Sequence, residues 1–119
     1  MSERDRLGKG LGALLLSNPC NPTGHVVWGD TMGAYTDLAR ELGCWLILDE
    51  FYSHFIYEGD QPAAGPVSAA AHVEDVDRDR VLLIDGLTKC FRYPGWRVGW
   101  AVGPRDMIET LNRAASAID

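Results

Sequence analysis

Apolar runs alternate with amphipathic stretches along the chain. Three short runs are uninterrupted, over residues 11–16, 44–48 and 81–84, and each gives way to polar or turn-forming residues. A short apolar run without polar alternation is typical of a strand buried on both faces of a sheet. These three runs are therefore predicted as buried strands, and residues 97–102 as a fourth.

The amphipathic stretches predict helices between and after these strands. Asp30 is the expected cap of a helix over residues 31–42, and Gly43 is its expected stop. Residues 61–66 are predicted as a loop, residues 67–72 as a short helix, and Pro104 opens a terminal helix. The core-facing positions expected at helical spacing are Met32, Tyr35, Leu38, Ala39 and Leu42 in the first helix, and Met107, Ile108, Leu111, Ala115 and Ile118 in the last.

This succession predicts an α/β fold, in which a mainly parallel sheet is flanked by helices. A chain of 119 residues makes at most one modest domain with a single core. Asn21, Asp49 and Lys89 each come at or shortly after the end of one of the three buried runs. Because ligands bind at the carboxyl edge of open parallel sheets, we expect these residues to share one site.

Composition and charge narrow the possible partners. The chain is 46% hydrophobic and 24% charged, which is typical of a globular protein, and no apolar run is long enough to span a bilayer. The first residues carry mixed charge without the apolar stretch of a signal peptide, so a soluble, cytoplasmic protein is expected. A net charge of −6 without a basic stripe argues against a nucleic-acid partner.

The cysteines and histidines do not suggest a disulfide framework or a metal site. Their spacing contains neither a Cys-x-x-Cys pair nor a paired histidine, so no metal is expected. A nucleophilic cysteine requires a base that lowers its pKa, and the sequence offers none nearby. Packing or surface roles are predicted for all six residues, which are Cys20, Cys44, Cys90, His25, His54 and His72.

Two cationic side chains are candidates for coenzyme chemistry. In a cleft, Lys89 is expected to present a neutral amine that attacks an aldehyde and forms a Schiff base. Arg97 offers a planar fork of donors that suits a phosphate. The alternatives are a solvated surface lysine and an arginine paired with a surface carboxylate.

Three further polar side chains are candidates at the same edge. Asp49 ends a buried run, where its carboxylate needs a cation such as a protonated ring nitrogen, although a turn-forming aspartate is equally common. Tyr52 is either a packed aromatic residue or a hydroxyl donor to a ligand. Asn18 and Asn21 each precede a proline, which indicates a rigid connection after the strand but leaves the repeated asparagine unexplained. Glu50 is expected to be structural.

Three motifs together resemble the class I/II aminotransferases, which are fold type I pyridoxal phosphate-dependent enzymes. They are Asn-Pro-Cys-Asn-Pro-Thr-Gly at 18–24, Asp-Glu-Phe-Tyr at 49–52 and Thr-Lys-Cys-Phe-Arg-Tyr-Pro-Gly-Trp-Arg-Val-Gly at 88–99. The resemblance implies pyridoxal 5'-phosphate as cofactor and transfer of an amino group from an amino acid to a keto acid. It implies these roles: Lys89 as the Schiff-base lysine, Asp49 as partner of the ring nitrogen, Asn21 and Tyr52 as ligands of the phenolic oxygen, and Arg97 as a phosphate ligand.

The chain departs from the family pattern in two respects. The family usually has a serine three residues before the lysine, where this chain has Gly86, so either Thr88 supplies the hydroxyl or this donor to the phosphate is missing. Family chains are several times longer, and the upstream glycine-rich phosphate loop, the upstream ring-stacking aromatic residue and the downstream carboxylate-binding arginine have no counterpart here. Residues 1–10 are accordingly predicted as a lead-in and residues 11–119 as part of the large domain, without the small domain.

The expectation is therefore an incomplete aminotransferase that does not turn over alone and whose full-length form is a homodimer. Lyases, cyclases and decarboxylases of the same fold share the lysine and the aspartate, so they remain alternatives. A ligand-sensing domain like the aminotransferase-like half of certain transcription regulators is another alternative. A remnant that no longer holds coenzyme is the third.

Overall fold

The computed structural model describes residues 10–57 and 67–118. Every predicted strand and helix in these ranges has a counterpart. The strands are β1 (Ala13–Ser17), β2 (Trp45–Asp49), β3 (Val81–Gly86) and β4 (Gly99–Val102), and the helices are α1 (Gly29–Leu42) and α2 (Arg105–Ser116). Two single-turn 3₁₀ helices span Ala69–His72 and Pro94–Trp96.

The four strands form one sheet in the order β1-β2-β3-β4. β1, β2 and β3 are mutually parallel, and β4 runs antiparallel to β3, which confirms the mainly parallel α/β sheet. In the register, Ser17 pairs with Asp49, and Asp49 pairs with Ile84. The carboxyl ends of the three parallel strands therefore lie at one edge of the sheet.

The core lies between α1 and one face of the sheet. Leu46 and Leu48 on β2 alternate toward this face and are fully buried. Met32 and Ala39 are the most buried apolar positions of α1, and both belong to the face predicted from helical spacing. The other members of the buried cluster are Cys44, Ala69 and Val81, with Leu14, Leu16 and Leu83 packed against it.

The prediction that the apolar strands are buried on both faces is wrong for the edges of the sheet. β1 begins at Ala13, and the side chain of Leu15, which points away from α1, is 71% exposed. β4 begins at Gly99, two residues later than predicted, and all of its residues are exposed. The described residues contain nothing that covers these positions, so the apolar pattern is present without the burial it predicts.

The start of α1 differs from the prediction, whereas its end agrees. Trp28, in extended conformation, occupies the N-cap without a side-chain hydrogen bond, so Asp30 is not the cap. Asp30 lies in the first turn, where a negative charge interacts favourably with the helix dipole. Gly43 ends the helix in the left-handed conformation, with φ at 65°, as a glycine stop requires.

The terminal helix begins where Pro104 predicted it, but its apolar stripe does not reach the core. Pro104 precedes the first helical residue, Arg105. Met107 and Ile108 are only half-buried. The prediction of core contact is wrong for the remaining positions, Leu111, Ala115 and Ile118, which are all exposed.

Some predictions fall on residues outside the described ranges. These are the loop over residues 61–66 and most of the lead-in over residues 1–10, so the division into lead-in and partial large domain stays a prediction. Among the residues that are described, no helix is long and apolar enough to cross a membrane.

Candidate functional site

Sheet topology brings the predicted site residues to one edge. Asp49 is the last residue of β2, Lys89 follows the end of β3 by three positions, and Asn21 follows the end of β1 by four. Arg97 precedes β4, and because Gly99 at the start of this antiparallel strand pairs with Gly86 at the end of β3, it belongs to the same edge. The edge predicted from the three buried runs is therefore the edge at which these side chains are found.

Asn21 and Tyr52 line one cavity of about 310 Å³. The loop after β1 forms one wall and the turn after β2 forms the other. Asn21 is an exposed residue near the tip of the loop, and Tyr52 is half-buried in the turn. The complete lining is Pro19, Cys20, Asn21, Pro22, Gly24, Tyr52, Phe55 and Tyr57.

The turn after β2 is organised by its own polar groups. Asp49 accepts a hydrogen bond from the backbone N–H of Phe51 through Oδ1 at 3.2 Å. The Ser53 N–H donates to the Glu50 carbonyl, and the Phe55 N–H donates to the Tyr52 carbonyl, both at 2.8 Å. Asp49 is thus the turn-forming residue that one interpretation of the sequence described, and its role toward a ring nitrogen stays a prediction.

Lys89 lies in the loop after β3, which is hydrogen-bonded to the turn after β2. Its Nζ is 5.5 Å from the centroid of the Tyr52 ring, within the range of a cation–π contact. The thiol of the next residue, Cys90, donates to the Phe51 carbonyl at 3.2 Å. Cys90 therefore has the structural role expected of it. Lys89 itself is exposed, and its amine contacts the ring of Tyr52, which lines the cavity.

Arg97 adopts a left-handed backbone conformation, with φ at 52°, immediately before β4. This conformation costs a residue other than glycine about 1–2 kcal/mol, so the surrounding turn must maintain it. The guanidinium Nη1 donates to the Pro94 carbonyl at 3.3 Å. Thr88 is half-buried beside Lys89, and its part in phosphate binding stays a prediction, as does that of Arg97.

Glu50 is a buried carboxylate behind the site. Its Oε1 accepts a hydrogen bond from the Ala69 N–H at 2.9 Å, which ties the first 3₁₀ helix to the end of β2. Burial is the main cause that raises the pKa of Glu50, and the nearby charge of Asp85 adds to it, whereas the hydrogen bonds from Ala69 and Ser68 oppose it. Glu50 is therefore structural, as expected.

An ion pair lies near the C-terminal end of α1, just before the start of β3 and away from the carboxyl edge of the sheet. Arg40 donates through Nε and Nη2 to the two carboxylate oxygens of Asp79, at 2.8 and 2.9 Å. Asp79 also accepts from the backbone N–H groups of Glu74 and Asp75. The hydrogen bonds from Arg40 are the main cause that holds the pKa of Asp79 well below its usual range. This pair fastens α1 to the turn that leads into β3.

Sequence reasoning missed several residues at the site. Phe55 and Tyr57 line the cavity, and the density of aromatic residues after Asp49 was a signal that could have identified them. Cys20 also lines the cavity. In the described part of the chain, no group of three His, Cys, Asp or Glu residues is arranged to hold a metal ion.

Comparison with known proteins identifies the architecture and the family. The chain superposes on an aspartate aminotransferase from Rhodobacter sphaeroides with a TM-score of 0.81 at 28% identity, covering 98% of this chain and 28% of that one. It superposes on N-succinyldiaminopimelate aminotransferase from Mycobacterium tuberculosis with a TM-score of 0.78 at 26% identity, covering 99% and 30% of the two chains. The fold is that of the fold type I aminotransferases.

The family follows from the sequence itself. The model of the family described as aminotransferase class I and II matches residues 4–118. The aspartate/prephenate aminotransferase of Thermus thermophilus is 34% identical over 104 residues, which cover 87% of this chain and 25% of that protein. The chain belongs to the class I and II aminotransferase family, whose members use pyridoxal phosphate. It spans about a quarter of the length of the curated relatives it matches.

Proposed function

We propose that this chain forms part of the coenzyme-binding large domain of a pyridoxal phosphate-dependent aminotransferase, with Lys89 as the residue that holds the coenzyme covalently. The observation that carries the proposal is the position of the Lys89 amine, 5.5 Å from the ring of Tyr52 at the wall of the cavity that Asn21 also lines. An amine, an amide and a phenol are thereby gathered at one edge of the sheet.

The chemical groups at this edge suit pyridoxal phosphate. The Asn21 amide and the Tyr52 hydroxyl are the donors for a phenolic oxygen, and the Asp49 carboxylate is the partner for a ring nitrogen. Arg97 supplies a guanidinium for the phosphate, with Thr88 as the expected hydroxyl donor. When bound, the coenzyme supplies an electron sink that stabilises negative charge at the substrate α-carbon.

The residues of this chain contribute positioning and proton transfer. The Asp49 carboxylate favours the protonated state of a ring nitrogen beside it. The Lys89 amine, when free, would move a proton to and from the substrate α-carbon as acid and base. Tyr52, whose ring contacts the amine, keeps Lys89 at the cavity.

Transamination is favoured over elimination or decarboxylation by the relatives. The similar curated proteins include aspartate aminotransferases, for example that of Streptomyces avermitilis at 33% identity, and an arginine–pyruvate transaminase of Pseudomonas aeruginosa at 31% identity. An amino acid and a keto acid are therefore the proposed substrates. We also propose that the homodimer, the cytoplasmic location and catalytic turnover belong to a longer polypeptide.

Covalent trapping tests the proposal directly. The sequence contains two lysines, Lys9 and Lys89, so each can serve as the control for the other. Pyridoxal phosphate is added to the purified chain, the adduct is reduced with borohydride, and the modified residue is located by peptide mass spectrometry. We expect a visible absorption band before reduction and a pyridoxyl group on Lys89.

The two lysine variants separate specific binding from chance reaction. Lys89→Ala is expected to lose the band and the label, whereas Lys9→Ala keeps both. Equal labelling of the two lysines, or a band that persists in Lys89→Ala, would contradict the proposal. This readout reports coenzyme binding and does not require catalytic turnover.

A further inference from the structure

The side chain of Asn18 is buried and bonded at three points. It is 1% exposed, and it follows directly after β1. Its Nδ2 donates to the Val27 carbonyl at 2.7 Å, and its Oδ1 accepts from the Val27 N–H at 2.8 Å. The same Nδ2 lies 3.4 Å from the Val67 carbonyl. The amide thus pairs with both polar groups of Val27, as a backbone residue does in an antiparallel pair.

This pair closes the base of the loop that carries Asn21. Inside the loop, the Cys20 N–H donates to the His25 carbonyl at 2.8 Å, and the Gly24 N–H donates to the Cys20 carbonyl at 2.7 Å. Asn21 lies within the tight turn that the second bond closes. The position of Asn21 therefore depends on the backbone bonds beneath it and on the Asn18 amide at the base.

Asn18 also connects this loop to β2. Its backbone N–H donates to the Asp49 carbonyl at 2.9 Å. We propose that Asn18 is a positioning residue that fixes the side-chain amide of Asn21 relative to the carboxylate of Asp49. The inference rests on the proposed function, in which Asn21 and Asp49 contact the same coenzyme.

The bonding pattern explains why this position needs an amide. Alanine would leave the partly buried N–H and carbonyl of Val27 without their partner, and such unpaired groups are costly. Aspartate keeps the shape and the acceptor but presents a carboxylate oxygen to the carbonyls of Val27 and Val67, where the amide presented a donor. Both substitutions are expected to open the base of the loop.

Hydrogen exchange of the coenzyme-free chain tests the loop itself. NMR-detected exchange is measured for the amides of Cys20 and Val27 in the wild type, in Asn18→Ala and in Met32→Ala. Met32 is equally buried but belongs to α1, so its truncation lowers global stability without removing a hydrogen bond of the loop. We expect Asn18→Ala to accelerate exchange at these two amides by about tenfold relative to Met32→Ala. Equal rates in the two variants would overturn the proposal.

A double-mutant cycle tests the link to the coenzyme. Dissociation constants for pyridoxal phosphate are measured by absorbance for the wild type, Asn18→Ala, Asn21→Ala and the double variant. A positioning role predicts that Asn18→Ala weakens binding by roughly tenfold in the wild type, but by less than about twofold when Asn21 is already alanine. Independent, multiplicative effects would overturn it, because a merely structural role acts regardless of Asn21.

The two experiments distinguish failure of this inference from failure of the proposed function. If wild type shows no Lys89-dependent binding, the proposed function fails, and the exchange rates alone decide whether Asn18 fixes the loop. If Asn18→Ala does not fold, the isosteric Asn18→Asp replaces it in both experiments. Unchanged exchange and unchanged coenzyme affinity in Asn18→Asp would overturn the role of the amide donor.

Discussion

The close contacts around Gly86 predict that serine, which the family usually has at this position, cannot replace it without a loss of stability. A Cβ added at Gly86 would lie 2.8 Å from the Val98 carbonyl oxygen and 2.8 Å from Cε1 of Phe51. The Val98 carbonyl is held in place, because it accepts a hydrogen bond from the Leu87 N–H at 3.0 Å. The overlap therefore falls partly on backbone that cannot move without breaking the connection between β3 and β4.

These distances set the expected size of the effect. Overpacking a well-packed site typically costs about 1–3 kcal/mol, and contact with fixed backbone favours the upper half of that range. We expect Gly86→Ser to lower the free energy of unfolding by about 2–3 kcal/mol. With a urea dependence of about 1–3 kcal/mol per molar, the unfolding midpoint falls by roughly 0.7–3 M.

Urea unfolding followed by tryptophan fluorescence measures this change, since the chain has four tryptophans. Gly95→Ser is the matched control, because nothing lies within 4 Å of a Cβ added there. The control is expected to change stability by less than about 0.5 kcal/mol. If Gly86→Ser were as stable as Gly95→Ser, or bound pyridoxal phosphate more tightly than wild type, the steric reasoning would be refuted.

Two further predictions concern buried carboxylates outside the cavity. Arg40→Met should lower the free energy of unfolding by about 2–3 kcal/mol at pH 7, because it leaves the nearly buried Asp79 without its cation. The control is Arg78→Met, which removes an arginine that is 87% exposed. It should cost under about 0.5 kcal/mol. Since Arg40 lowers the pKa of Asp79, the stability difference between Arg40→Met and wild type should narrow as the pH falls below about 3.9, the ordinary pKa of aspartate. Urea unfolding measures both variants. Equal losses of stability in Arg40→Met and Arg78→Met at pH 7 would contradict the prediction. Because burial raises the pKa of Glu50, its protonated form is favoured in the fold, and this contribution is lost as pH rises above about 4.3 through the raised value. Glu50→Gln should therefore match or exceed wild-type stability at pH 8 by up to about 1 kcal/mol. Its free energy of unfolding should rise relative to that of wild type between pH 4 and pH 8, and a constant difference between the two proteins over this range would refute the prediction.

Periodicity predicted the elements better than it predicted their burial. The spacing of apolar residues in α1 follows from helix geometry alone, so Met32 and Ala39 were correctly assigned to the core. The exposure of Leu15 could not be predicted, because an apolar run indicates which surfaces need cover and does not indicate whether the described residues supply it. The same reasoning applies to Leu111 in α2, whose stripe is apolar but exposed.

The edge that holds the site was predictable because parallel strands place their carboxyl ends together. That rule brought Asn21, Asp49 and Lys89 to one edge before any contact was known. It could not supply the contacts themselves. The hydrogen bond from Cys90 to Phe51, which holds the Lys89 loop against the turn after β2, joins residues 39 positions apart and has no local signature.

The two asparagines of the first motif show where local sequence stops being informative. Asn18 and Asn21 both precede a proline, yet Asn18 is buried and Asn21 lies exposed at the cavity. Their neighbours are nearly the same, so the difference comes from their places in the fold. Asn18 continues β1 on the face covered by α1, where its amide must bond to Val27, and Asn21 lies in the turn above that bond. The repeated asparagine of this motif is therefore one residue at the base of the loop and one at its tip, and of the two only Asn21 lines the cavity.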